Sequence, residues 1–321
     1  MSIIAGLDIG GTKIAVTIGK LNGAGVELLG KRMFPTPSTP EESMERMMEE
    51  LEQLINEGEG EPLAAVGISC GGPLNSRTGV VMSPPNLPGW DKFDCVTPIK
   101  ERFQVPVCLQ NDANACALAE WMWGAGKGCS NMIFLTFGTG MGAGLILDGR
   151  LYSGTNDMAG EVGHVRLADQ GPIGYGKAGS FEGFCSGGGI AKLARLRAEH
   201  EIRKGNKVVY CATLEDLTSI TTQKVGDAAQ MGDPLALEIF TIVGQRLGQG
   251  LAMLIDILNP ERIVIGSIYA RQHAILGPIV TKFLEDEAIP YSLNVCEILP
   301  AGLGESVGDY ASLSVASSLL K

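Results

Sequence analysis

Two segments of the chain share one pattern: an apolar run, a turn of glycine and threonine, and a second apolar run. IAGLDIGGTKIAVTI occupies residues 4–18, and IFLTFGTGMGAGLIL occupies residues 133–147. Apolar runs of this length on either side of a tight turn predict paired β-strands. Two such units predict a duplicated α/β domain. Two ordinary, unrelated β-hairpins are the alternative that motifs this short leave open.

A strand-to-helix junction follows in the segment VPVCLQNDANACALAE, residues 105–120. Its apolar start predicts a strand, and its alanine-rich end predicts a helix that begins near Asp112. Open α/β sheets build their binding sites at the carboxyl ends of strands, which makes Asp112 a candidate for catalysis. The alternative is structural, because Asn and Asp are preferred residues at helix N-termini.

Composition narrows the class of protein. The 321 residues are 45% hydrophobic and 19% charged, which is typical of a globular protein with a sizeable core. A net charge of −11 argues against a nucleic-acid-binding surface. The eight cysteines form no CxxC pair and are interpreted as reduced thiols. Because no signal peptide is evident and no apolar run reaches the ~18 residues of a membrane span, we expect a cytoplasmic protein without a membrane partner.

Three glycine loops, at Gly10, Gly138 and Gly266, each follow an apolar run. Loops of this kind expose backbone N–H groups and let a phosphate approach closely. Thr12 and Thr139 add hydroxyl groups. The loops match neither the dinucleotide fingerprint nor the P-loop spacing. Two facing loops of this kind predict a polyphosphate site between two domains.

Several other elements are predicted from capping signals and periodicity. Thr39, followed by Pro40 and by Glu42, predicts the start of a helix whose methionine stripe belongs to the core. Residues 74–98 are predicted to form a functional loop region and residues 214–230 a helix. A long helix is expected from Asp233 to Leu258, with two glycines (Gly244 and Gly248) that permit close helix packing.

Taken together, the motifs resemble the ROK family of repressors and sugar kinases, within the actin/hexokinase-like superfamily. The resemblance covers nearly the whole chain and rests on five motifs in order: DIGGTK at 8–13, PNLPGW at 85–90, NDANACALAE at 111–120, TFGTGMGAGLI at 136–146 and GEVGH at 160–164. It implies an α/β, two-lobed actin-like ATPase (ribonuclease H-like) fold with a central cleft. The expected lobes are residues 1–112, joined by a C-terminal helix at about 306–321, and residues 113–305.

The same resemblance implies roles for individual residues, with ATP and Mg²⁺ as cofactors. Asp112 corresponds to the general base that accepts the proton of the attacking sugar hydroxyl. Asp8 corresponds to a carboxylate near the metal. The implied sugar-binding residues are Gly72, Asn86, Asn111, Asp112, Glu161, His164 and Glu182. The implied nucleotide-binding residues are Asp8, Gly10, Gly11, Thr12, Lys13, Gly138, Thr139, Gly140, Gly142 and Gly266.

Some of these residues have a plain structural alternative when the family is set aside. Glu182 fits a surface carboxylate, and His164 fits a structural histidine. Asn86 fits the turn chemistry of a proline-rich loop.

The chain departs from the family at the zinc motif of many relatives. The three positions of the motif's cysteines hold Ile173, Tyr175 and Ser180, so that His164 is the one ligand retained and Cys185 the one nearby thiol. A structural zinc site needs four ligands, and we therefore expect no structural zinc. Packing around Tyr175 and Phe181 is expected to order the loop instead. Two smaller departures are Ser69–Pro73, which lacks a proline common before Gly-Pro, and Gly266-Ser267 in place of a common Gly-Gly.

The resemblance implies an ATP-dependent kinase that phosphorylates a hexose, with glucose at the 6-position as the first expectation. Kinases for N-acetylmannosamine, N-acetylglucosamine, fructose and allose are alternatives within the family. A repressor that senses sugar is disfavoured, since such repressors carry an N-terminal DNA-binding extension and Asp8 lies close to the start of the sequence. A non-catalytic actin-like assembly protein is disfavoured by the Asn111-Asp112 pair. The expected partners are sugar, ATP and a second copy of the chain, without nucleic acid.

Overall fold

The computed structural model describes residues 2–23, 25–58 and 61–320. Its strands are β1 (Ser2–Ile9), β2 (Lys13–Leu21), β3 (Val26–Pro35), β4 (Leu63–Cys70), β5 (Leu74–Asn75), β6 (Val80–Val81), β7 (Phe93–Asp94), β8 (Val107–Asn111), β9 (Met132–Leu135), β10 (Ala143–Leu147), β11 (Arg150–Leu151), β12 (Ile173–Gly174), β13 (Lys177–Ala178), β14 (Arg262–Ile265) and β15 (Glu297–Pro300). Its α-helices are α1 (Pro40–Glu57), α2 (Thr97–Phe103), α3 (Asp112–Trp123), α4 (Phe181–Phe184), α5 (Gly187–Arg203), α6 (Thr222–Gln230), α7 (Pro234–Leu258), α8 (Ile268–Arg271), α9 (His273–Glu287), α10 (Pro290–Leu293) and α11 (Val307–Ser318).

The structure divides into two compact units. Unit 1 comprises Met1–Phe134, Gly144–Gly160 and Ala301–Lys321, and unit 2 comprises Leu135–Ala143 and Glu161–Pro300. The sequence-based boundary after Asp112 differs from this division. Helix α3 groups with unit 1 because it packs against α11, which belongs to the same unit. The two-lobe boundaries derived from the sequence stay a prediction.

Unit 1 is built on a five-stranded sheet in the order β3-β2-β1-β4-β8. Strands β1, β2 and β3 form an antiparallel meander, and β4 and β8 run parallel to β1. The main core of this unit joins apolar residues of the sheet to the methionine stripe of α1. A second, smaller core joins β1 and β4 to α11. The sheet is therefore mixed, with its parallel strands β1, β4 and β8 side by side.

Helix α1 begins as its capping signal predicts. The Thr39 side chain accepts a hydrogen bond from the backbone N–H of Glu42, and Pro40 is the first helical residue. Met44, Met47 and Met48 are all buried. The predicted start and the predicted burial of the methionine stripe are both confirmed.

Unit 2 contains the parallel pair β14 and β15 and the helices α4–α10. Helix α7 begins at its N-cap Asp233 and ends at Leu258, as predicted. A Cβ atom at Gly244 would lie 2.7 Å from Ile279, and one at Gly248 would lie 2.8 Å from Phe283. The two glycines therefore let α7 pack closely against α9, which confirms the expectation from the sequence.

Two other predictions are only partly confirmed. The loop region 74–98 contains the short strands β5, β6 and β7, which form a small antiparallel sheet. The helix predicted over 214–230 is broken at Ile220, which is extended and buried, so that a 3-10 turn at Glu215–Ser219 precedes α6. Among the residues described, no helix combines the length and the apolar composition that a bilayer crossing requires.

Candidate functional site

The first candidate site lies at the carboxyl ends of the parallel strands of unit 1. Asp8 pairs with Ser69, which pairs in turn with Gln110, so that these positions lie level across three strands. Asp112 begins the helix directly after the last of these strands. A cavity of about 280 Å³, here called the Asp112 cavity, opens at this edge. Its lining residues are Asp8, Ile9, Gly10, Ser69, Gly71, Gly72, Pro84, Pro85, Asn86, Leu87, Asp112, Cys116, Gly308 and Ala311.

The start of α3 fixes the carboxyl group of Asp112. Asn111 is the N-cap, and its Oδ1 accepts a hydrogen bond from the N–H of Ala113 at 2.9 Å. Asp112 Oδ1 accepts from the same N–H at 2.8 Å. The Asp112 side chain lines the cavity, but the surrounding protein atoms desolvate its carboxyl group and so raise its pKa. Hydrogen bonds from the N–H groups of Ala113 and of Asp112 itself lower that pKa in part. The N-cap of α3 is thus Asn111 and not Asp112. The carboxyl group of Asp112 lines the cavity.

Asp8 is the second carboxyl group of the cavity. Desolvation raises its pKa to about 6, opposed by a hydrogen bond from Ser69 and reinforced by the charge of Asp112. A carboxyl group with a pKa near neutrality is typical of functional sites. Asp8 and Asp112 therefore form an acidic pair in which the charge of Asp112 disfavours the ionisation of Asp8.

The raised pKa of Asp8 predicts how stability depends on pH. In the unfolded chain Asp8 loses its proton near its ordinary pKa of 3.8, and in the folded protein it keeps the proton until about pH 6. The unfolded state therefore binds fewer protons in this interval, and stability falls as the pH rises from 4 to 6. Without divalent cations, we expect the difference in unfolding free energy between wild type and Asp8→Asn to drop by up to about 3 kcal/mol over that interval. Urea titrations of both proteins measure it, and a pH-independent difference would contradict the assignment.

The loop PNLPGW brings Asn86 to the same cavity. Leu87 and Trp90 are buried and hold two successive turns, whose backbone N–H groups bond to the carbonyls of Pro84 and Leu87. Asn86 is an exposed residue of the first turn. A Cβ atom at Gly11 would lie 2.2 Å from the Asn86 carbonyl oxygen, so that only glycine fits beneath the loop. The close contact between DIGGTK and PNLPGW explains the second glycine of the first motif.

A polar network below α3 was not found from the sequence. The Gln110 side-chain oxygen accepts from the Asn111 N–H at 3.0 Å and from Asn114 Nδ2 at 3.1 Å. Asn114 is buried and also approaches the Ser153 hydroxyl at 3.4 Å. The network orients the turn that carries Asp112. Its sequence signal is the run of amides around Asp112, which is indistinguishable from ordinary cap chemistry.

The residues after Gly10 in the first glycine loop lie outside the Asp112 cavity. The N–H of Gly10 donates to the Lys13 carbonyl, which closes the turn between β1 and β2. Gly11, Thr12 and Lys13 are exposed and lie outside the lining of the Asp112 cavity.

The second glycine loop lies in unit 2. The N–H of Gly142 donates to the Thr136 hydroxyl at 2.9 Å, and the N–H of Gly138 donates to the Gly140 carbonyl at 3.2 Å. Glu182 Oε2 accepts from the N–H of Met141 at 3.1 Å and would lie 3.0 Å from a Cβ atom at Gly140. The structure therefore brings Glu182, a predicted sugar-binding residue, against this loop.

A larger cavity of about 800 Å³ opens beside this loop and is here called the Thr139 cavity. Helix α5 begins there, with Ser186 as its N-cap, and the N–H of Gly187 donates to the Gly138 carbonyl at 2.7 Å. Gly266 is not among the lining residues, although its neighbour Ser267 is. The lining residues are Gly138, Thr139, Gly187, Gly188, Ala191, Arg195, Ile220, Thr221, Thr222, Gln223, Asp227, Gln230, Ser267, Ile268, Arg271 and Gln272.

Most of the Thr139 cavity was missed by sequence reasoning. Its walls come from α5, α6 and α8, whose polar residues follow no motif. The one usable signal was Ser186 followed by three glycines, because a capped, glycine-rich helix start is a ready site for an anion.

Glu161 and His164 lie on a loop of unit 2 that includes a 3-10 turn. Glu161 is exposed, and its carbonyl accepts from the His164 N–H at 3.1 Å. The His164 ring meets the Tyr175 ring edge-on at 4.9 Å between centroids. Lys177 Nζ donates to the His164 carbonyl at 2.6 Å. Aromatic and lysine contacts thus hold His164 in place.

The three positions of the lost zinc motif have different surroundings, and of these Tyr175 packs against His164. Ile173 is 52% exposed, and Ser180 is buried as the N-cap of α4. The Cys185 thiol is buried and donates to the Val243 carbonyl at 3.6 Å. Among the described residues, no group of three or more His, Cys, Asp or Glu side chains is placed to hold a metal.

We expect the purified protein to contain substoichiometric zinc and to keep its Tm after treatment with EDTA, because contacts such as those of Tyr175 and Lys177 order the loop. Elemental analysis and thermal unfolding measure this. One zinc per chain that is lost on His164→Ala would contradict it.

The family model described as "ROK family" matches residues 4–317. A glucokinase of Streptomyces coelicolor is 30% identical over 312 residues, which cover 96% of this chain and 95% of that protein. A solved ROK family glucokinase from Streptomyces griseus, in complex with glucose and AMPPNP, has a TM-score of 0.77 at 28% identity and covers 99% of this chain and 100% of its own. A ROK family transcriptional regulator, homologous to the E. coli MLC protein, has a TM-score of 0.85 at 23% identity, covering 99% of this chain and 78% of its own; that likeness concerns the fold alone.

Proposed function

This chain belongs to the ROK family, and on that premise we propose that it is an ATP-dependent sugar kinase that phosphorylates a hexose hydroxyl. Its α/β fold is the actin-like ATPase fold expected from the sequence. The observation that carries the proposal is the position of Asp112, whose carboxyl group faces a cavity at the carboxyl ends of parallel strands beside Asp8.

The Asp112 cavity favours a neutral polyol as the acceptor. Two carboxyl groups line it, and none of its described lining residues is Lys, Arg or His. An anionic sugar would meet the negative charge of carboxylates there, whereas the hydroxyls of a neutral sugar donate to carboxylates and accept from amides such as that of Asn86. Glucose, phosphorylated at its 6-hydroxyl, is the first candidate, in line with the glucokinase relatives. N-acetylmannosamine, N-acetylglucosamine, fructose and allose are the alternatives.

The Thr139 cavity suits a nucleotide as the donor. Its volume of about 800 Å³ is within the range of small-molecule sites. The start of α5 favours phosphate groups beside the glycine loop, because a helix N-terminus carries partial positive charge. The AMPPNP bound to the Streptomyces griseus relative supports ATP as that nucleotide.

The chemistry of the donor atoms also fits Mg²⁺. This ion takes oxygen ligands and is commonly held by one or two carboxylates together with substrate phosphates. Asp8 would hold it in the Asp112 cavity, and ion binding would favour the ionised form of a carboxyl group that desolvation otherwise keeps protonated to about pH 6. When bound, the ion would neutralise charge on the transferred phosphoryl group.

In this mechanism Asp112 accepts the proton of the attacking hydroxyl as its oxygen bonds to the γ-phosphorus. The bond between that phosphorus and the β,γ-bridging oxygen breaks, and ADP leaves with the electron pair. Its Oδ1 already accepts the Ala113 N–H, which orients the carboxylate. Its raised pKa makes it a better base than an ordinary aspartate. Asn111 holds the start of α3, and the N-terminus of α5 favours the phosphates of the donor.

An ADP-release assay with Mg-ATP tests the proposal over a panel of hexoses and N-acetylhexosamines. We expect one neutral hexose to stimulate ADP release well above the sugar-free rate, and expect sugar phosphates and uronic acids to be inactive. If none of the sugars stimulates ADP release, the kinase proposal fails.

A sugar-sensing regulator is the second candidate, favoured by the fold shared with the regulator structure. Calorimetry separates the two functions. Sugar binding without any phosphorylation would support the sensor, whereas turnover supports the kinase.

A further inference from the structure

Ser267 is a strained residue in the wall of the Thr139 cavity. Its φ is +51° with ψ −108°, a backbone conformation that favours glycine and disfavours residues with a Cβ atom. Strain of this kind persists where the surrounding structure imposes it, and it is concentrated at functional sites. The side chain of Ser267 therefore calls for a function that glycine lacks.

The Ser267 hydroxyl binds Arg271 and lies near the glycine loop. Its oxygen accepts a hydrogen bond from Arg271 Nη2 at 2.9 Å. The same oxygen would lie 3.8 Å from a Cβ atom at Gly138. All three residues line the cavity. The guanidinium group of Arg271 is thus bonded to a hydroxyl that lies near the loop carrying Gly138.

Two neighbouring features favour an anion at this end of the cavity. The N–H of Gly187, the first residue of the 17-residue helix α5, donates to the Gly138 carbonyl at 2.7 Å, which brings the helix start against the loop. The charged residues among the lining are Arg195, Asp227 and Arg271. Arg195 donates to the Ile220 carbonyl at the wall formed before α6, whereas Arg271 lies near the Gly138 loop.

We infer that Ser267 is a positioning residue that holds the Arg271 guanidinium against a phosphate group of a nucleotide bound in the Thr139 cavity. The inference rests on the proposed nucleotide donor. It adds Arg271 as a cation that binds phosphate and Ser267 as the strained residue that positions Arg271. A guanidinium group is suited to this task because its planar set of N–H donors matches phosphate oxygens. Glycine at position 267 would remove the strain and also the hydroxyl that holds Arg271.

Calorimetric titration of the full chain with Mg-AMPPNP and with adenosine tests the inference. We expect Arg271→Met and Ser267→Ala to weaken AMPPNP binding by about tenfold or more and to leave adenosine binding unchanged, because adenosine has no phosphate. Arg262→Met is the matched control, since Arg262 lies on β14, is paired with Glu297 and is not a lining residue. That variant is expected to bind both ligands as the wild type does.

Ser267→Gly separates positioning from stability. We expect it to raise the Tm, since glycine adopts the backbone conformation without strain, and to weaken AMPPNP binding as Ser267→Ala does. A Tm gain with unchanged AMPPNP affinity would overturn the inference, as would an equal loss of adenosine binding or a wild-type protein that binds no AMPPNP. If AMPPNP binding responds as expected and no sugar is phosphorylated, the kinase function fails while the phosphate contact stands.

Discussion

Replacing Asp112 with asparagine is expected to lower kcat for sugar phosphorylation by ~10²–10⁴-fold, the usual contribution of a positioned general base. Asparagine keeps a side-chain oxygen that can accept the Ala113 N–H, so that the start of α3 is preserved. It has no group that takes up the proton of the sugar hydroxyl. Because the missing interaction belongs to the transition state, the KM values for sugar and ATP are expected to change little.

Asp94→Asn is a matched control for this experiment. Asp94 also lies before a helix, where its Oδ1 accepts from the N–H groups of Val96 and Thr97 at the start of α2. It is not a lining residue of the Asp112 cavity. Steady-state assays of ADP release should therefore give wild-type kcat for Asp94→Asn. Wild-type kcat for Asp112→Asn, with the sugar identified, would show that another group accepts the proton.

The Asp112 cavity was largely predictable because its key residues follow from strand direction. Apolar runs predicted β1 and β8, and the strand-to-helix junction after β8 made Asp112 a candidate for catalysis. The observed register adds that Asp8 lies level with Ser69 and Gln110, at the edge where Asp112 follows β8. The allocation of the cap was less certain from sequence, since Asn111 and Asp112 are both good N-caps and backbone geometry decides between them.

The Thr139 cavity was less predictable because helices form most of it. Residues such as Gln230 and Arg271 are polar, and polar residues on a helix are usually exposed to solvent. Nothing in their spacing distinguishes a cavity wall from an ordinary surface. The conformation of Ser267 depends on the contacts around β14 and α8, and a serine after a glycine does not reveal its φ angle.

The break in the helix at Ile220 could have been predicted from the capping residue that follows it. Thr221 caps α6, with its side chain accepting from the N–H of Lys224, and threonine is a preferred N-cap. The apolar periodicity across residues 214–230 concealed this boundary. Tertiary packing favours the break, because Ile220 is buried in an extended conformation between the 3-10 turn and α6.

Truncation of Glu120 is expected to give a large loss of stability. Glu120 is fully buried near the end of α3. Its carboxylate accepts from the N–H groups of Ala125, Gly302 and Leu303 at 2.7–3.0 Å. The side chain therefore ties the end of α3 to the segment that leads into α11, both within unit 1. Each buried backbone N–H group that loses its acceptor lowers the free energy of unfolding by about 1–3 kcal/mol.

Glu120→Ala is accordingly expected to lower the unfolding free energy by about 3–5 kcal/mol. Urea unfolding followed by tryptophan fluorescence measures it, since Trp90, Trp121 and Trp123 all lie in unit 1. Glu120→Gln keeps one acceptor oxygen and is expected to lose less. Exposed Glu49 on α1 provides the control, because Glu49→Ala removes a carboxylate without a buried donor and should change stability by less than about 0.5 kcal/mol. Equal losses for Glu120→Ala and Glu49→Ala would mean that the three N–H groups find other acceptors, and that the junction between α3 and α11 is held by apolar packing instead.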